Sequence, residues 1–122
     1  MGAVGFQESD WIWKNGEMIG WHDAQLHLLS TAVQFGTSVF EGIRAYETPK
    51  GPAIFKLDQH LRRLMDSAKV YRMTPEDYGP PEFKEAILEV VRRNKLDSCY
   101  IRPMILRGYG SISLNPYASP ID

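Results

Sequence analysis

The chain has 122 residues and a mass of 13.9 kDa, which is enough for one domain and too little for two ordinary ones. Its residues are 43% apolar and 24% charged, proportions typical of a globular domain with its own core. The 14 Lys and Arg and the 15 Asp and Glu leave a net charge of −1, which argues against a nucleic-acid-binding protein.

No part of the sequence has the pattern of a membrane span or an export signal. Uninterrupted apolar runs are short, whereas a spanning helix needs about 18 such residues. The N-terminus lacks the basic start and apolar stretch of a signal peptide. The one cysteine, Cys99, has no partner for an internal disulfide, as is usual in cytosolic proteins. We therefore predict a cytoplasmic protein that binds neither nucleic acid nor membrane.

The N-terminal part of the chain predicts a leader, a hairpin and one helical turn. Residues 1–10 show no pattern of a regular element and are predicted to form a flexible leader. Asn15-Gly16 lies between two apolar runs and predicts a β-hairpin with a type I′ turn, because both residues tolerate positive φ. Ser30 to Phe35 is predicted to form a helical turn, with Thr31 and Gln34 at capping-box spacing.

Strands and helices follow along the rest of the chain. The predicted strands are Thr37 to Thr48, Ala53 to Phe55 and Cys99 to Arg107, all rich in β-forming residues. A first helix is predicted from an apolar stripe at helical spacing, formed by Leu57, Leu61, Leu64, Met65, Ala68 and Tyr71. A second helix is predicted from Pro80-Pro81, with Phe83, Ala86, Ile87, Val90 and Val91 on one face. These elements together predict the α+β class.

The sequence lacks the motifs of several common sites. His22, His27 and His60 lie in different predicted elements, and one cysteine cannot complete a zinc site, so no metal site is predicted. Each histidine is interpreted as structural or solvated. The chain also has no glycine-rich phosphate loop and no nucleophile elbow.

The predicted strand around Tyr100 carries a candidate carboxylate site. Because side chains alternate along a strand, Tyr100, Arg102, Met104 and Leu106 are predicted to share one face. The guanidinium of Arg102 is a rigid, charged fork and the phenol adds a directional donor, so the pair is suited to bind a carboxylate. An arginine that merely extends to solvent at a sheet edge remains an open alternative.

Two further candidates come from helical and strand position. Arg62 and Arg63 flank the apolar stripe of the first helix on opposite sides, and either could reach a phosphate. Periodicity does not choose between them, and both could instead only solvate the helix. Phe40-Glu41-Gly42 is the other candidate, because a glycine inside a strand permits close approach of a ligand or another backbone.

Four motifs follow one another in the chain: Phe35-Gly36-Thr37-Ser38-Val39-Phe40-Glu41-Gly42-Ile43-Arg44, His60-Leu61-Arg62-Arg63-Leu64 with Asp66-Ser67-Ala68-Lys69, Tyr100-Ile101-Arg102-Pro103, and Leu114-Asn115-Pro116. In order and spacing they resemble the branched-chain amino acid aminotransferases, pyridoxal-phosphate-dependent enzymes of fold-type IV. The resemblance implies that residues 11–122 form the smaller, N-terminal domain of such an enzyme, with two helices packed on a small sheet built from hairpins.

The resemblance also implies a role for each candidate residue. Arg63, and not Arg62, would bind the phosphate of pyridoxal 5′-phosphate. The implied substrate-binding residues are Phe35, Phe40, Gly42, Tyr100 and Arg102. Phe40 would form an apolar wall for a branched side chain, and Arg102 would receive the side-chain carboxylate of glutamate. Family members commonly have tyrosine at the position of Phe35, which leaves the amino-donor preference open. We expect Arg63 to share one hollow with Phe40 and Tyr100.

The implied reaction needs residues outside this sequence. In the family a lysine holds the cofactor covalently and moves a proton between substrate and cofactor, and none of the lysines here matches its motif. No catalytic residue is therefore expected in the chain, which should be inactive alone. The whole enzyme, a homo-oligomer, would transfer the amino group between branched-chain L-amino acids and 2-oxoglutarate in branched-chain amino acid biosynthesis. We expect its catalytic C-terminal domain to lie beyond an internal cut at Asp122.

Two alternatives to this interpretation remain open. One is a transaminase of the same fold that acts on D-amino acids or amines. The other is a freestanding, non-catalytic structural or interaction domain, which the length of 122 residues favours.

Overall fold

The computed structural model describes residues 7–110 and 119–122. Residues 1–6 of the predicted leader and the Leu114-Asn115-Pro116 motif lie outside this range. The strands are β1 (Trp11–Lys14), β2 (Glu17–Gly20), β3 (Ser38–Phe40), β4 (Ile43–Thr48), β5 (Gly51–Ile54), β6 (Cys99–Ile101) and β7 (Met104–Leu106). The helices are α1 (Thr31–Phe35), α2 (Leu57–Val70) and α3 (Pro80–Arg93), with a 3₁₀ turn at Trp21–Asp23.

The predicted N-terminal hairpin is confirmed. Strands β1 and β2 are antiparallel, with Lys14 opposite Glu17. Asn15 and Gly16 between them have φ of 48° and 91°, the positive values that a type I′ turn requires. Asn94, just after α3, accepts hydrogen bonds from the backbone N–H groups of Asp10 and Trp11, so the hairpin and the end of the predicted leader are held to the helical layer.

The capping box predicted at α1 is wrong. The residue that precedes the helix is Ser30, and no side chain caps the N-terminus. The hydroxyl of Thr31 instead lies 2.6 Å from that of Ser119, and Gln34 donates to the carbonyl oxygen of Leu28. Thr31 is thus used in a long-range contact and Gln34 in a contact with the preceding turn, and the capping-box spacing reveals neither.

Both long helices are confirmed. The predicted stripe of α2 is buried at Leu57, Leu61, Leu64 and Ala68, and that of α3 at Phe83, Ala86, Ile87 and Val91. The sequence places Tyr71 on the buried stripe, but this residue lies just past the end of α2 and is exposed. The helix ends at Val70, so the helical period no longer determines which way Tyr71 points.

The two long predicted strands are each broken in the middle. Thr37 to Thr48 is divided into β3 and β4 by Glu41 and Gly42, and Cys99 to Arg107 is divided into β6 and β7 by Arg102 and Pro103. Strand β3 pairs with β7 and β4 pairs with β6, both antiparallel and in one continuous register. Proline has no N–H to donate to a ladder, so the hydrogen bonding is interrupted where Pro103 lies although the register is kept.

We call the paired strands β3–β7 and β4–β6 the broken ladder. The hydrophobic core is formed by residues of α2 and α3 and by the inward residues of this broken ladder. Its strand members are Val39, Ile43, Ala45, Ile101 and Ile105. Leu64 is completely buried, and burying a leucine side chain contributes about 2 kcal/mol. Two helices thus pack on small antiparallel sheets, and the predicted α+β class is confirmed. None of the helices in the described part of the chain combines the length and apolarity needed to cross a membrane.

Candidate functional site

One face of the broken ladder carries aromatic and basic side chains. Burial alternates without interruption through the break on both strands, with Glu41 and Pro103 among the buried positions. The exposed positions therefore share the opposite face, and they are Phe40, Gly42, Arg44 and Tyr46 on one side of the ladder and Tyr100, Arg102 and Met104 on the other. The prediction that Tyr100 and Arg102 share a face is confirmed, although Cys99 to Arg107 is not one strand.

Arg102 connects the side chains of this face, which we call the ladder face. Its guanidinium carbon lies 4.4 Å from the ring centroid of Phe40 and 5.4 Å from that of Tyr100, within the range of cation–π attraction. Its Nε and Nη2 donate to the phenolic oxygen of Tyr100 at 3.3 and 3.1 Å. Within the described residues no carboxylate forms an ion pair with Arg102, so its charge is available to an anionic ligand.

Gly42 leaves the space that Tyr100 occupies. A Cβ atom built on Gly42 would lie 2.7 Å from the phenolic oxygen of Tyr100 and 3.1 to 3.2 Å from two of its ring carbons. The sequence predicts close approach of a ligand or a backbone at this glycine. The group that approaches is a side chain of the neighbouring strand, and the glycine matters because it lets that phenol lie close to the strand.

Phe35 lies apart from the interactions of the ladder face. It is the last residue of α1, and it is 54% exposed. In the described range no ring-stacking or cation–π contact connects it to Phe40 or Tyr100. Its role toward substrate stays a prediction.

Glu41 lies in the break between β3 and β4 and points to the buried face of the ladder. Its side chain is only 6% exposed. Arg63 on α2 donates to it from Nε at 3.0 and 2.9 Å and from Nη2 at 2.7 Å. The Nδ1 atom of His60, one helical turn earlier, lies 2.8 Å from the Oε1 atom of Glu41. One strand carboxylate therefore binds two side chains of one helix face.

These contacts change the acidity of both charged groups. The hydrogen bonds from Arg63 lower the pKa of Glu41, against an opposing effect of burial, and His60 adds to the lowering. The hydrogen bonds to Glu41 raise the pKa of Arg63 above its ordinary value. Glu41 is therefore a carboxylate and Arg63 a guanidinium at neutral pH.

The geometry of Arg63 fits an anion such as a phosphate. Glu41 takes the Nε and Nη2 side of the guanidinium, while a guanidinium carries five N–H donors. The end-on edge, formed by Nη1 and the second N–H of Nη2, has no partner among the described residues, and the side chain is 68% exposed. The edge that remains is the one that can bind two oxygens of a single anion.

Arg63 and the ladder face lie on opposite sides of the strand segment that contains Phe40 and Glu41. Phe40 and Glu41 are neighbours that point to opposite faces, so Arg63 reaches the strand through Glu41. In the described residues no hydrogen bond or ring contact connects Arg63 to Tyr100. A shallow groove of about 350 Å³ does run between β3 and the end of α2, lined by Ser38, Val39, Phe40, Ser67, Val70 and Tyr71. This groove includes Phe40 but neither Arg63 nor Tyr100, so the described residues do not show the single hollow expected for the three, and their shared role stays a prediction.

Glu41 and His60 receive no function from the sequence alone. The sequence favours a structural or solvated His60, and in the structure this residue is paired with Glu41. The signal for Glu41 is an acidic residue at an inward strand position, where an unpaired charge is costly. No three His, Cys, Asp or Glu side chains cluster as metal ligands anywhere in residues 7–110 and 119–122.

The comparisons with known proteins identify the family. The sequence model of the family described as "Amino-transferase class IV" matches residues 38–121, and the chain belongs to this family. The chain is 48% identical over 112 residues to the branched-chain-amino-acid aminotransferase of Escherichia coli K12. It is 46% identical over 108 residues to the protein of the same description from Pseudomonas aeruginosa.

Solved structures show the same fold. The crystal structure of the branched-chain amino acid aminotransferase of Escherichia coli matches with a TM-score of 0.87 and 46% identity over 93% of this chain. The crystal structure of the T.th. branched-chain amino acid aminotransferase, in complex with N-(5′-phosphopyridoxyl)-L-glutamate, matches with a TM-score of 0.87 and 50% identity over the same share.

The chain spans only about a third of these relatives. The match with the Escherichia coli relative covers 92% of this chain but 36% of the relative. The match with the Pseudomonas aeruginosa relative covers 88% of this chain but 34% of the relative. Each of the two structures is covered over 38% of its chain.

Proposed function

We propose that this chain is the N-terminal part of a pyridoxal-phosphate-dependent transaminase that moves an amino group between branched-chain L-amino acids and 2-oxoglutarate. The observation that carries the proposal is the ladder face, where the guanidinium of Arg102, which forms no ion pair among the described residues, lies against the rings of Phe40 and Tyr100. The names of the related proteins support the same substrate class.

The ladder face suits a pocket that takes both an apolar and an acidic side chain. Phe40 and Met104 are 51% and 43% exposed and offer apolar area to a branched side chain. Arg102 and the hydroxyl of Tyr100 offer a charged fork and a directional polar group to the side-chain carboxylate of glutamate or 2-oxoglutarate. The glutamate adduct in the T.th. structure supports an acidic ligand of this kind.

Arg63 is the residue proposed to hold the phosphate of pyridoxal 5′-phosphate. Its end-on edge is free in the described part of the chain, and its charge is retained at all physiological pH values. When bound, the cofactor supplies an electron sink for the substrate's α-carbon. The residues of this chain do not move the proton; they bind the phosphate and orient the substrate.

The remaining parts of the proposal concern the whole protein. The lysine that holds the cofactor lies in a C-terminal domain outside this sequence, residues 11–122 form the smaller domain, and residues 1–10 form a leader. We place the enzyme in the cytoplasm as a homo-oligomer that acts on amino acids and keto acids. Phe35 and Gly42 complete the substrate-binding set.

An assay of the full-length protein tests the proposal. With 2-oxoglutarate as acceptor, L-leucine should be a far better donor than D-alanine. A preference for D-alanine or for an amine would assign the protein to another transaminase of this fold. No transfer from any donor, with no binding of pyridoxal phosphate, would instead favour a non-catalytic domain. The 122-residue chain alone should lack the absorbance of lysine-bound cofactor.

A further inference from the structure

We propose that Glu41, supported by His60, is a positioning residue that orients Arg63 toward the cofactor phosphate. The inference rests on the proposed role of Arg63 as the phosphate ligand. It assigns a function to a buried carboxylate that itself touches neither cofactor nor substrate.

Glu41 is held more firmly than the side chain that it binds. Its backbone N–H donates to the carbonyl oxygen of Pro103 at 3.1 Å, inside the break of the ladder. The neighbouring inward positions, Val39 and Ile43, are buried at 7% and 0% exposure. The strand therefore cannot turn its carboxylate away without exposing core residues. Arg63 is 68% exposed and would otherwise sample many rotamers, so Glu41 restricts the mobile partner.

The contact selects one edge of the guanidinium. With the Nε and Nη2 side bound to Glu41, the plane of Arg63 is set and the end-on edge faces away from the carboxylate. That edge then binds an anion without further loss of side-chain freedom, which is the advantage of a pre-organised ligand. At metal sites, a residue that orients a ligating side chain in this way commonly changes affinity by about 10- to 100-fold.

His60 completes the arrangement from the same helix. Its Nδ1 lies 2.8 Å from Oε1 of Glu41, the oxygen that also accepts from Nη2 of Arg63. His60 is 20% exposed at its side chain, so it closes one side of the carboxylate. The carboxylate is thereby fixed between one histidine and one arginine.

A purely electrostatic role predicts the opposite sign. The negative charge of Glu41 partly neutralises Arg63 and repels a dianion, so its removal should then tighten phosphate binding. Because Arg63 is mostly exposed, solvent and salt weaken that repulsion. Solvent and salt do not weaken in this way the orientation that Glu41 gives to the guanidinium of Arg63. We therefore expect that removal of the Glu41 charge weakens the binding of pyridoxal phosphate.

The experiment measures dissociation constants in the full-length protein for two probes, pyridoxal 5′-phosphate and pyridoxal, which lacks the phosphate. Glu41→Gln should weaken binding of the phosphorylated probe about tenfold and leave pyridoxal unchanged. In the Arg63→Gln background the same substitution should have no further effect. Glu47→Gln, which removes the charge of an exposed glutamate on β4, is the matched control and should behave as wild type.

A second pair of variants covers the event that Glu41→Gln does not fold. His60→Ala should weaken only the phosphorylated probe, and His60→Asn, which retains a hydrogen-bonding group near the position of Nδ1, should restore part of the affinity.

The outcomes separate this inference from the proposed function. If Arg63→Gln does not affect phosphate binding, the role of Arg63 fails and the inference fails with it. If Arg63→Gln weakens binding but Glu41→Gln does not, or tightens it, only the positioning role is overturned. Equal weakening of both probes by Glu41→Gln would show a general structural role and would also overturn it.

Discussion

The phenolic oxygen of Tyr100 accepts two hydrogen bonds from Arg102, at 3.3 Å from Nε and 3.1 Å from Nη2. The two residues are neighbours on one face of the ladder, and the break at Arg102 and Pro103 does not separate them. Because the phenol uses the Nε side of the guanidinium, the end-on edge remains for a ligand. Arg102 and Arg63 are thus held in the same way. In each, another residue binds the Nε and Nη2 side of the guanidinium, and the end-on edge has no partner among the described residues.

Replacing Arg102 should separate the two classes of substrate. In the full-length enzyme, Arg102→Met should lower kcat/KM for glutamate by about 10- to 100-fold, the effect of losing a hydrogen bond between charged groups. The value for leucine should change less than about threefold, since an apolar side chain gains nothing from the guanidinium. Arg92→Met, on an exposed arginine of α3 paired with Glu89, is the control. An equal loss for glutamate and leucine would contradict the assigned role.

Gly42→Ala should act on the same substrate through Tyr100. The new methyl group would lie 2.7 Å from the phenolic oxygen, so the ring must move and its hydrogen bonds to Arg102 are lost. We expect a rise of about tenfold in KM for glutamate, the effect of losing one to two hydrogen bonds. The free energy of unfolding should fall by less than about 1 kcal/mol, because an exposed ring can rotate away. Tyr100→Phe in the Gly42→Ala background should then cause little further change in KM.

The sequence predicts those elements of the fold whose cause lies in neighbouring residues of the chain. Asn15-Gly16 defines its turn through its own φ values, and the apolar stripes of α2 and α3 need only helical spacing. The ladder break at Pro103 has a visible cause, since proline lacks an N–H. Its consequence for Glu41 is not visible, because it depends on which strand pairs with which.

The candidate site divides in the same way. The alternation of a strand predicts that Tyr100 and Arg102 share a face, and that relation survives the break. Periodicity does not distinguish Arg62 from Arg63. In the structure Arg63 binds Glu41, and this contact, like that of His60 with Glu41, depends on the tertiary structure. Which arginine binds the phosphate stays a prediction.

The carboxylate of Glu41 should give a measurable dependence of stability on pH. Its pKa is lowered in the folded state from its ordinary value of 4.5, so its contribution is complete above that pH and is lost as the pH falls below it. The wild-type protein should therefore be more stable than Glu41→Gln at pH 7, and the difference in the free energy of unfolding should narrow steadily below about pH 4.5. Urea titrations at several pH values measure it. A difference that does not vary with pH would mean that the charge of Glu41 is not what stabilises the fold.

A pair of alanine substitutions should separate backbone strain from steric contact. Gly16 and Gly51 both have positive φ, 91° and 105°, so alanine should cost about 1–2 kcal/mol at either position. A Cβ on Gly16 would also lie 2.8 Å from the phenolic oxygen of Tyr78, whereas one on Gly51 would have no neighbour within 4 Å among the residues that the structure describes. Tyr78 packs edge-on against Trp13 with ring centroids 5.3 Å apart, so displacing it disturbs the contact of the hairpin with the helical layer.

Gly16→Ala should therefore reduce the free energy of unfolding more than Gly51→Ala, as measured by urea titration. Equal losses would show that Tyr78 moves aside without cost, and the excess should vanish in a Tyr78→Phe background if the hydroxyl is the cause.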